Sequence, residues 1–226
     1  MASKSSLLSQ KVIRVLVVDD HPMMREGLAS RIDQQSDMKV CGDADSLITA
    51  IAAIQANSPD VVIVDIQLVG SNGIELLEEI RNRFPSTRAL VVSAFDDSLY
   101  AERALRAGAK GYVNKRELQD CVVDAIKTVA NGGTYVSNEI TKHLVEQAIN
   151  GKLEPGCDPV HSLSNRELEV FQLIGQGVTT SAIAEKLYLS VHTIDTHREK
   201  LRHKLGLKTG TELMRYAVQW VLENGQ

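Results

Sequence analysis

The length of 226 residues favours two small domains. The formal net charge of −4 gives no strong sign of a nucleic-acid partner. A hydrophobic share of 43% is enough for ordinary cores, and no stretch approaches about 18 unbroken apolar residues, so we expect no membrane-spanning segment. The polar first 11 residues lack the apolar stretch of a signal peptide, and the odd number of widely spaced cysteines predicts a cytoplasmic protein with reduced thiols.

Apolar strands and amphipathic helices alternate along residues 12–130. Dense β-branched runs predict strands at 12–18, 38–42, 60–65, 88–93 and 110–114. Apolar residues at helical spacing predict the intervening helices, at 22–32, 46–57, 73–84, 97–107 and from the fifth strand to about 130. This order predicts an α/β fold with a five-stranded, doubly wound parallel sheet and helices on both faces. The lack of a GxxxxGK(S/T) loop excludes a nucleotide-binding P-loop.

Three of the predicted strands end in charged side chains. Asp19 and Asp20 follow the first strand, Asp65 ends the third, and Lys115 follows the fifth. Because parallel strands place their carboxyl ends on one edge of the sheet, we expect these groups to converge. Like charges a few Å apart repel by ~1–4 kcal/mol per pair, so the acids need a counter-ion, and their oxygens suit Mg²⁺. Taken alone, Asp65 is explained as well by a structural role, as a polar strand end or a helix N-cap, as by a role in ligand binding.

The last third of the chain predicts a small all-α domain. Ser164 and Glu167 form a capping box at the start of a helix. Thr179 caps the next helix, and Ser190 caps a longer, cation-rich helix that reaches Leu205. Two helices joined by a short turn, with the second one longer and richer in cations, are typical of a helix-turn-helix. A last helix is predicted at 211–222.

These motifs resemble known regulatory domains. The acid pair, the lone Asp65, Ser93 after an apolar strand, and Lys115 three residues after Tyr112 resemble the receiver domain of two-component response regulators. With the C-terminal third, the chain is similar to the NarL/FixJ subfamily, which joins a flavodoxin-like receiver to a LuxR-type DNA-binding domain. The resemblance implies three segments: a receiver at 11–133, a connecting helix and linker at 134–162, and a helix-turn-helix domain at 163–226.

The receiver resemblance implies a phosphoryl-transfer site. Asp65 would accept a phosphoryl group from a phosphohistidine of a sensor histidine kinase. Lys115 and the Ser93 hydroxyl would contact phosphoryl oxygens, and Tyr112 would turn inward when Ser93 moves. The implied cofactor is Mg²⁺, held by Asp19 (through water), Asp20, Asp65 and the backbone carbonyl of Gln67. Phosphoryl transfer depends more on positioning and charge neutralisation than on basicity, so a carboxylate is a workable acceptor. The protein would be no enzyme beyond its own phosphotransfer and dephosphorylation.

The C-terminal resemblance implies that helix 190–205 enters the major groove of double-stranded promoter DNA, with the protein bound as a homodimer. The residues expected at the DNA are Thr179, Ser190, His192, Thr193, Asp195, Thr196, Arg198, Glu199, Lys200 and Arg202. Asp195 and Glu199 depart from the family pattern, which often has basic residues there. They either accept hydrogen bonds from cytosine or pair with Arg198, Arg202 and His203 one turn away. His197 lies on the apolar stripe and is predicted to be a packed core histidine.

Two alternative functions remain. A phosphatase of the haloacid dehalogenase type also uses an Asp on such a sheet, but it needs a second Asp two residues later, where this chain has Gln67. The other alternative is a phosphorylation-independent transcriptional regulator with an atypical receiver, and a Mg²⁺ titration would distinguish it from a phosphorylated one.

Receivers usually carry Pro four residues after the acceptor, where this chain has Val69. We expect that change to alter the lifetime of the phosphoryl group, a hypothesis that unchanged dephosphorylation in Val69→Pro would contradict.

Overall fold

The structure is a computed structural model that describes residues 12–68, 71–94, 98–149 and 159–224. Val69, where a proline was expected from the family pattern, lies outside these ranges, as do residues 151–158 of the predicted linker and the first 11 residues of the chain.

Strands and helices alternate through the first domain as predicted. The strands are β1 (Ile13–Val18), β2 (Met38–Ala44), β3 (Val61–Asp65), β4 (Gln67–Leu68), β5 (Ser71–Asn72), β6 (Arg88–Ser93) and β7 (Gly111–Asn114). The helices are α1 (Pro22–Asp33), α2 (Leu47–Asn57), α3 (Gly73–Arg83), α4 (Ser98–Ala107) and α5 (Leu118–Ala130). The short antiparallel pair β4–β5, directly after the acceptor strand, was not predicted.

The main sheet has five parallel strands in the order β2-β1-β3-β6-β7, which confirms the predicted doubly wound fold. All five residues of β3 are buried because it lies in the middle of the sheet. Side chains alternate between its faces: Ile63 packs with the core beneath α1 and α5, whereas Val62 and Val64 pack with the core beneath α2, α3 and α4. The sheet therefore carries its charged groups at strand ends, where they leave the apolar layers intact.

The C-terminal part is entirely helical. After α6 (Asn138–Ile149) come a 3₁₀ turn (Pro159–Ser162) and the helices α7 (Asn165–Gly175), α8 (Thr180–Lys186), α9 (Val191–Lys204) and α10 (Gly210–Asn224). The predicted capping box at the start of α7 is confirmed, with the Ser164 hydroxyl accepting from the Glu167 amide. The predicted end of α9 was one residue too long, since Leu205 is its C-cap, and α10 is longer than predicted at both ends.

Helices α7 and α10 form the centre of this domain. The ring centroids of Phe171 and Trp220 are 5.7 Å apart. A Cβ placed on Gly175 would lie 2.5 Å from the carbonyl oxygen of Ala217, so a glycine at this point allows the two helices to approach closely. Gly177 has φ +78°, and this left-handed conformation lets the chain leave α7 in a tight turn. None of the helices in the described ranges combines the length and apolar character needed to cross a lipid bilayer.

Candidate functional site

The charged strand ends converge as predicted. The Nζ of Lys115 lies 2.7 Å from Asp65 Oδ2 and 2.8 Å from Asp19 Oδ2. Both carboxylates are almost completely buried. Ligand atoms of Asp19, Asp20 and Asp65 all lie within 4.8 Å of one another. The carboxyl ends of β1, β3 and β7 therefore bring three acids and one lysine into a single cluster.

The loop after β3 holds the Asp65 side chain in place. Asp65 Oδ1 accepts a hydrogen bond of 3.2 Å from the amide of Gln67, and the amide of Gly73 donates to the carbonyl of Ile66 at 2.7 Å. A Cβ on Gly73 would lie only 2.1 Å from the carbonyl oxygen of Asp65. Asn72 caps α3 through a 2.9 Å bond from the Ile74 amide. Gly73 is thus the residue that lets α3 begin directly against the acceptor loop.

Burial dominates the electrostatics of the cluster. It raises the pKa of Asp65 to about 7, because the favourable charge of Lys115 only partly offsets the desolvation and Asp19 adds repulsion. Burial also raises the pKa of Asp20, against the favourable effect of His21. For Lys115, burial lowers the pKa, but Asp65 and Asp19 outweigh it and the net shift is upward. A second positive charge at this cluster would favour the ionised form of each acid.

The donor set fits the implied Mg²⁺. Three carboxylates close enough to share one ion, in a site where ionised Asp65 is costly, are the hard oxygen ligands that this ion prefers. Gln67 lies two residues after the acceptor and lines the same cleft as Asp20, which is compatible with its backbone serving as a further ligand. These observations support a divalent site, whereas the identity of the ion stays a prediction.

His21 and Asn114 belong to the site, and the sequence reasoning missed both. The Nδ1 of His21 lies 2.5 Å from Asp20 Oδ1 and 3.2 Å from Asp19 Oδ1, so an imidazole adjoins the acid pair. Asn114 Oδ1 accepts a 2.8 Å hydrogen bond from the amide of Arg116 and so shapes the turn that carries Lys115. Both residues adjoin predicted site residues in sequence, and that adjacency was the available signal.

Ser93 and Tyr112 lie on the strands next to the acceptor. Ser93 ends β6, one residue beyond the register partner of Asp65, and is completely buried. Its carbonyl accepts a 2.7 Å hydrogen bond from the amide of Lys115. Tyr112 on β7 is 2% exposed, so its ring is in a buried position. The structure thus places both residues as the receiver resemblance implies, while their switching roles stay predictions.

Helix α9 presents a polar outer face. Ile194 and Leu201 are completely buried, as the apolar stripe predicted, and His197 is half-buried beside them. Burial lowers the pKa of His197, and the nearby charges of Arg166 and Lys200 add to the effect. Seven of the predicted DNA contacts are exposed: Thr179, Ser190, His192, Asp195, Thr196, Glu199 and Lys200. Three are half-buried: Thr193, Arg198 and Arg202.

The two acids on α9 behave differently. Glu199 pairs with Arg202 at 3.0 Å, which confirms the pairing alternative for this residue. Asp195 makes no ion pair with any residue that the structure describes, so its carboxylate is available to a DNA base. Arg202 also donates to the carbonyl of Lys208 at 3.1 Å and therefore holds the end of α9 in addition to any role at DNA.

Comparisons with known families and proteins agree with this architecture. The response regulator receiver domain matches residues 15–127, and the LuxR family of bacterial regulatory proteins matches residues 161–217. The chain is 34% identical over 212 residues to the oxygen regulatory protein NreC of Staphylococcus epidermidis, an alignment that covers 92% of this chain and 97% of the relative. The identity to NreC of Staphylococcus aureus is 35% over 211 residues, with the same coverage.

Solved structures show the same fold. A LuxR-family two-component response regulator from Aurantimonas is 31% identical, covering 62% of this chain and 99% of that one, with a TM-score of 0.57. The RcsB response regulator of Salmonella typhimurium is 24% identical, covering 92% and 98% of the two chains, with a TM-score of 0.64. At that lower identity the likeness to RcsB shows the fold alone.

Proposed function

The chain belongs to the response regulators that carry a LuxR-type DNA-binding domain, and from that membership we propose a transcription factor switched by phosphoryl transfer to Asp65. The observation that supports it best is the buried cluster in which Lys115 bridges Asp65 and Asp19. The phosphodonor would be a phosphohistidine of a sensor histidine kinase, and the protein itself would catalyse only this transfer and the later dephosphorylation.

The transfer uses groups whose positions are described above. An oxygen of Asp65 forms a bond to phosphorus while the phosphorus–nitrogen bond of the donor histidine breaks, and the imidazole leaves. Lys115 stands beside the acceptor oxygen and pairs with the negative charge of the incoming group. Mg²⁺ held by Asp19, Asp20, Asp65 and the backbone carbonyl of Gln67 would supply the remaining positive charge. Because ionised Asp65 is costly in the metal-free protein, we expect transfer to depend on a divalent ion.

DNA binding is assigned to the outer face of α9. Arg198 and Lys200 supply phosphate attraction, so affinity should fall as salt concentration rises. Thr179 and Ser190 cap α8 and α9, and helix N-termini are favourable places for a DNA phosphate.

A homodimer is proposed through α10. Its inner residues Leu213 and Ala217 are buried in the domain, whereas Met214, Val218 and Leu222 form an exposed apolar row at a spacing of four. Such a row on one helix face suits packing against a second copy of the same helix. One RcsB structure is described as two dimers bound to two parallel DNAs, which is the arrangement that the proposal extends to this chain.

Acetyl phosphate labelling tests the proposal. We expect wild-type protein to be labelled only when Mg²⁺ is present and Asp65→Asn to remain unlabelled under the same conditions. Glu79→Gln, which alters a half-buried carboxylate on α3 that pairs with Arg83, is the control and should be labelled like the wild type. Label on both wild type and Asp65→Asn, or on neither, would contradict the assignment, and the second result would favour a phosphorylation-independent regulator.

A further inference from the structure

One arginine links the receiver to the DNA-binding domain. Arg103 on α4 donates a 3.0 Å hydrogen bond to Asn165 Oδ1, at the first residue of α7. It donates a second bond, of 3.3 Å, to the carbonyl of His161 in the preceding 3₁₀ turn. These two bonds join the receiver to the beginning of the helix-turn-helix domain.

In the structure, the DNA-binding domain lies beside the phosphoacceptor cluster. A cleft of 160 Å³ lies between the two domains. Its receiver wall consists of Asp20, His21, Gln67 and Leu68, and its opposite wall of Glu169, Lys186, Leu187 and Tyr188. The second wall comes from α7, α8 and the turn before α9. On this side of the receiver, the DNA-binding domain therefore borders the space in front of the acid cluster, although it supplies no residue to the transfer chemistry.

The wall on the DNA-binding domain is firmly built. Glu169 is 2% exposed and pairs with Arg166 at 2.7 Å, and Arg166 also donates to the carbonyl of Leu187 at 2.8 Å. Burial raises the pKa of Glu169, and Glu75 of the receiver helix α3 adds to the rise, so the two domains are close enough for their charges to interact. Opening the cleft consequently requires the whole domain to move.

Docking in this position leaves the DNA-reading surface uncovered. His192, Asp195, Thr196, Glu199 and Lys200 are all exposed although the domains are in contact. The contact therefore acts on access to the acceptor and leaves the outer face of α9 free.

We propose that the docked DNA-binding domain is a lid that limits access of a protein phosphodonor to Asp65 while admitting small acyl phosphates. The inference rests on the proposed function. The receiver wall of the cleft holds Asp20, His21 and Gln67, which neighbour the acceptor in the acid cluster, so a helix that presents phosphohistidine on this side has to approach past α7, α8 and the turn before α9. The rate of phosphoryl transfer from such a donor is then proportional to the fraction of molecules in which the domain is undocked.

The test compares two donors on full-length variants. The small donor is acetyl phosphate, and the large donor is the autophosphorylated phosphohistidine domain of a sensor kinase that labels Asp65. Arg103→Ala and Asn165→Ala remove the two sides of the interdomain hydrogen bond. Arg106→Ala is the control, because Arg106 is exposed on the same helix and its ion pair within the described ranges is with Glu102 of the receiver.

We expect Arg103→Ala and Asn165→Ala to raise the rate from the kinase domain about threefold to tenfold and the rate from acetyl phosphate less than twofold. Small-angle scattering should show an increased radius of gyration for these two variants and none for Arg106→Ala. Equal acceleration with both donors, or unchanged scattering in Arg103→Ala, would overturn the lid while leaving the proposed function intact. Absence of label from both donors in every variant would overturn the proposed function and the lid with it.

Discussion

The Nζ of Lys115 lies 2.7 Å from Oδ2 of Asp65, although the two residues are 50 positions apart in the chain. The same nitrogen lies 2.8 Å from Oδ2 of Asp19. One lysine therefore pairs with two buried carboxylates that would otherwise repel each other, and its single positive charge offsets only one of their two negative charges. A divalent ion that binds in this cluster would compensate part of the same negative charge.

Lys115→Met should make the fold of the receiver dependent on Mg²⁺. Removal of one partner leaves buried, uncompensated charge, so we expect a loss of about 3 kcal/mol in the free energy of unfolding at pH 8. The pKa of Asp65 is raised, so its carboxyl is protonated more readily in the folded than in the unfolded chain, and the loss should be smaller at pH 6. Added Mg²⁺ should restore part of the stability, as measured by urea denaturation followed by circular dichroism. Exposed Lys110→Met serves as the control, and an equal loss in that variant would contradict the interpretation.

Gly73→Ala should displace the acceptor loop. The added Cβ would collide with the backbone carbonyl of Asp65, so we expect a loss of about 1–3 kcal/mol in stability and at least a tenfold slower labelling by acetyl phosphate. Gly27→Ala is the matched control, because a Cβ there in α1 has nothing within 4 Å. It should be neutral or stabilise the protein by up to about 1 kcal/mol, since alanine is the better helix former. Normal labelling kinetics in Gly73→Ala would show that the close approach does not matter for transfer.

Lys200→Ala and Asp195→Ala should have different effects on DNA binding. Lys200 is expected to contact phosphate, so its removal should weaken binding to all duplexes alike and reduce the salt slope by about 1. Asp195 has no ion-pair partner among the described residues, and its removal should change the preference at one base pair by about 1–3 kcal/mol. Fluorescence anisotropy with a selected binding site and its single-base-pair variants measures both effects. Tighter binding of Asp195→Ala to every duplex would refute a base-reading role.

His197→Gln should reduce the acid sensitivity of the DNA-binding domain. Burial first, and then Arg166 and Lys200, lower the pKa of His197 below its ordinary 6.5. The unfolded chain therefore takes up a proton at this residue before the folded one does, and stability is lost as the pH falls from 6.5 through the folded pKa. Melting followed by the fluorescence of Trp220, the sole tryptophan, reports on this domain at pH 7.5 and 5.5. The difference in melting temperature between these pH values should shrink in His197→Gln and stay at the wild-type value in the exposed control His203→Gln.

Local features of the chain were predictable because they depend on residues close in sequence. Each of three predicted caps, Ser164, Thr179 and Ser190, is confirmed, since a side-chain oxygen needs only an amide two or three residues ahead. The parallel sheet followed from the alternation of strands and helices. The convergence of Asp19, Asp65 and Lys115 followed in turn, because a parallel sheet leaves the ends of neighbouring strands on one edge.

Contacts between surfaces far apart in the chain could be decided only by the tertiary structure. The sequence allowed both alternatives for the acids of α9. The folded helix pairs Glu199 with Arg202, whereas Asp195 has no ionic partner within the part of the chain that the structure describes. Nor did the sequence indicate that Arg103 would hold the DNA-binding domain beside the acceptor. The reason is physical: strand and helix patterns record which face of an element is buried within its own domain. The docking of one finished domain on another depends on side-chain shape and hydrogen bonding at a few positions, which leave no periodic signal in the sequence.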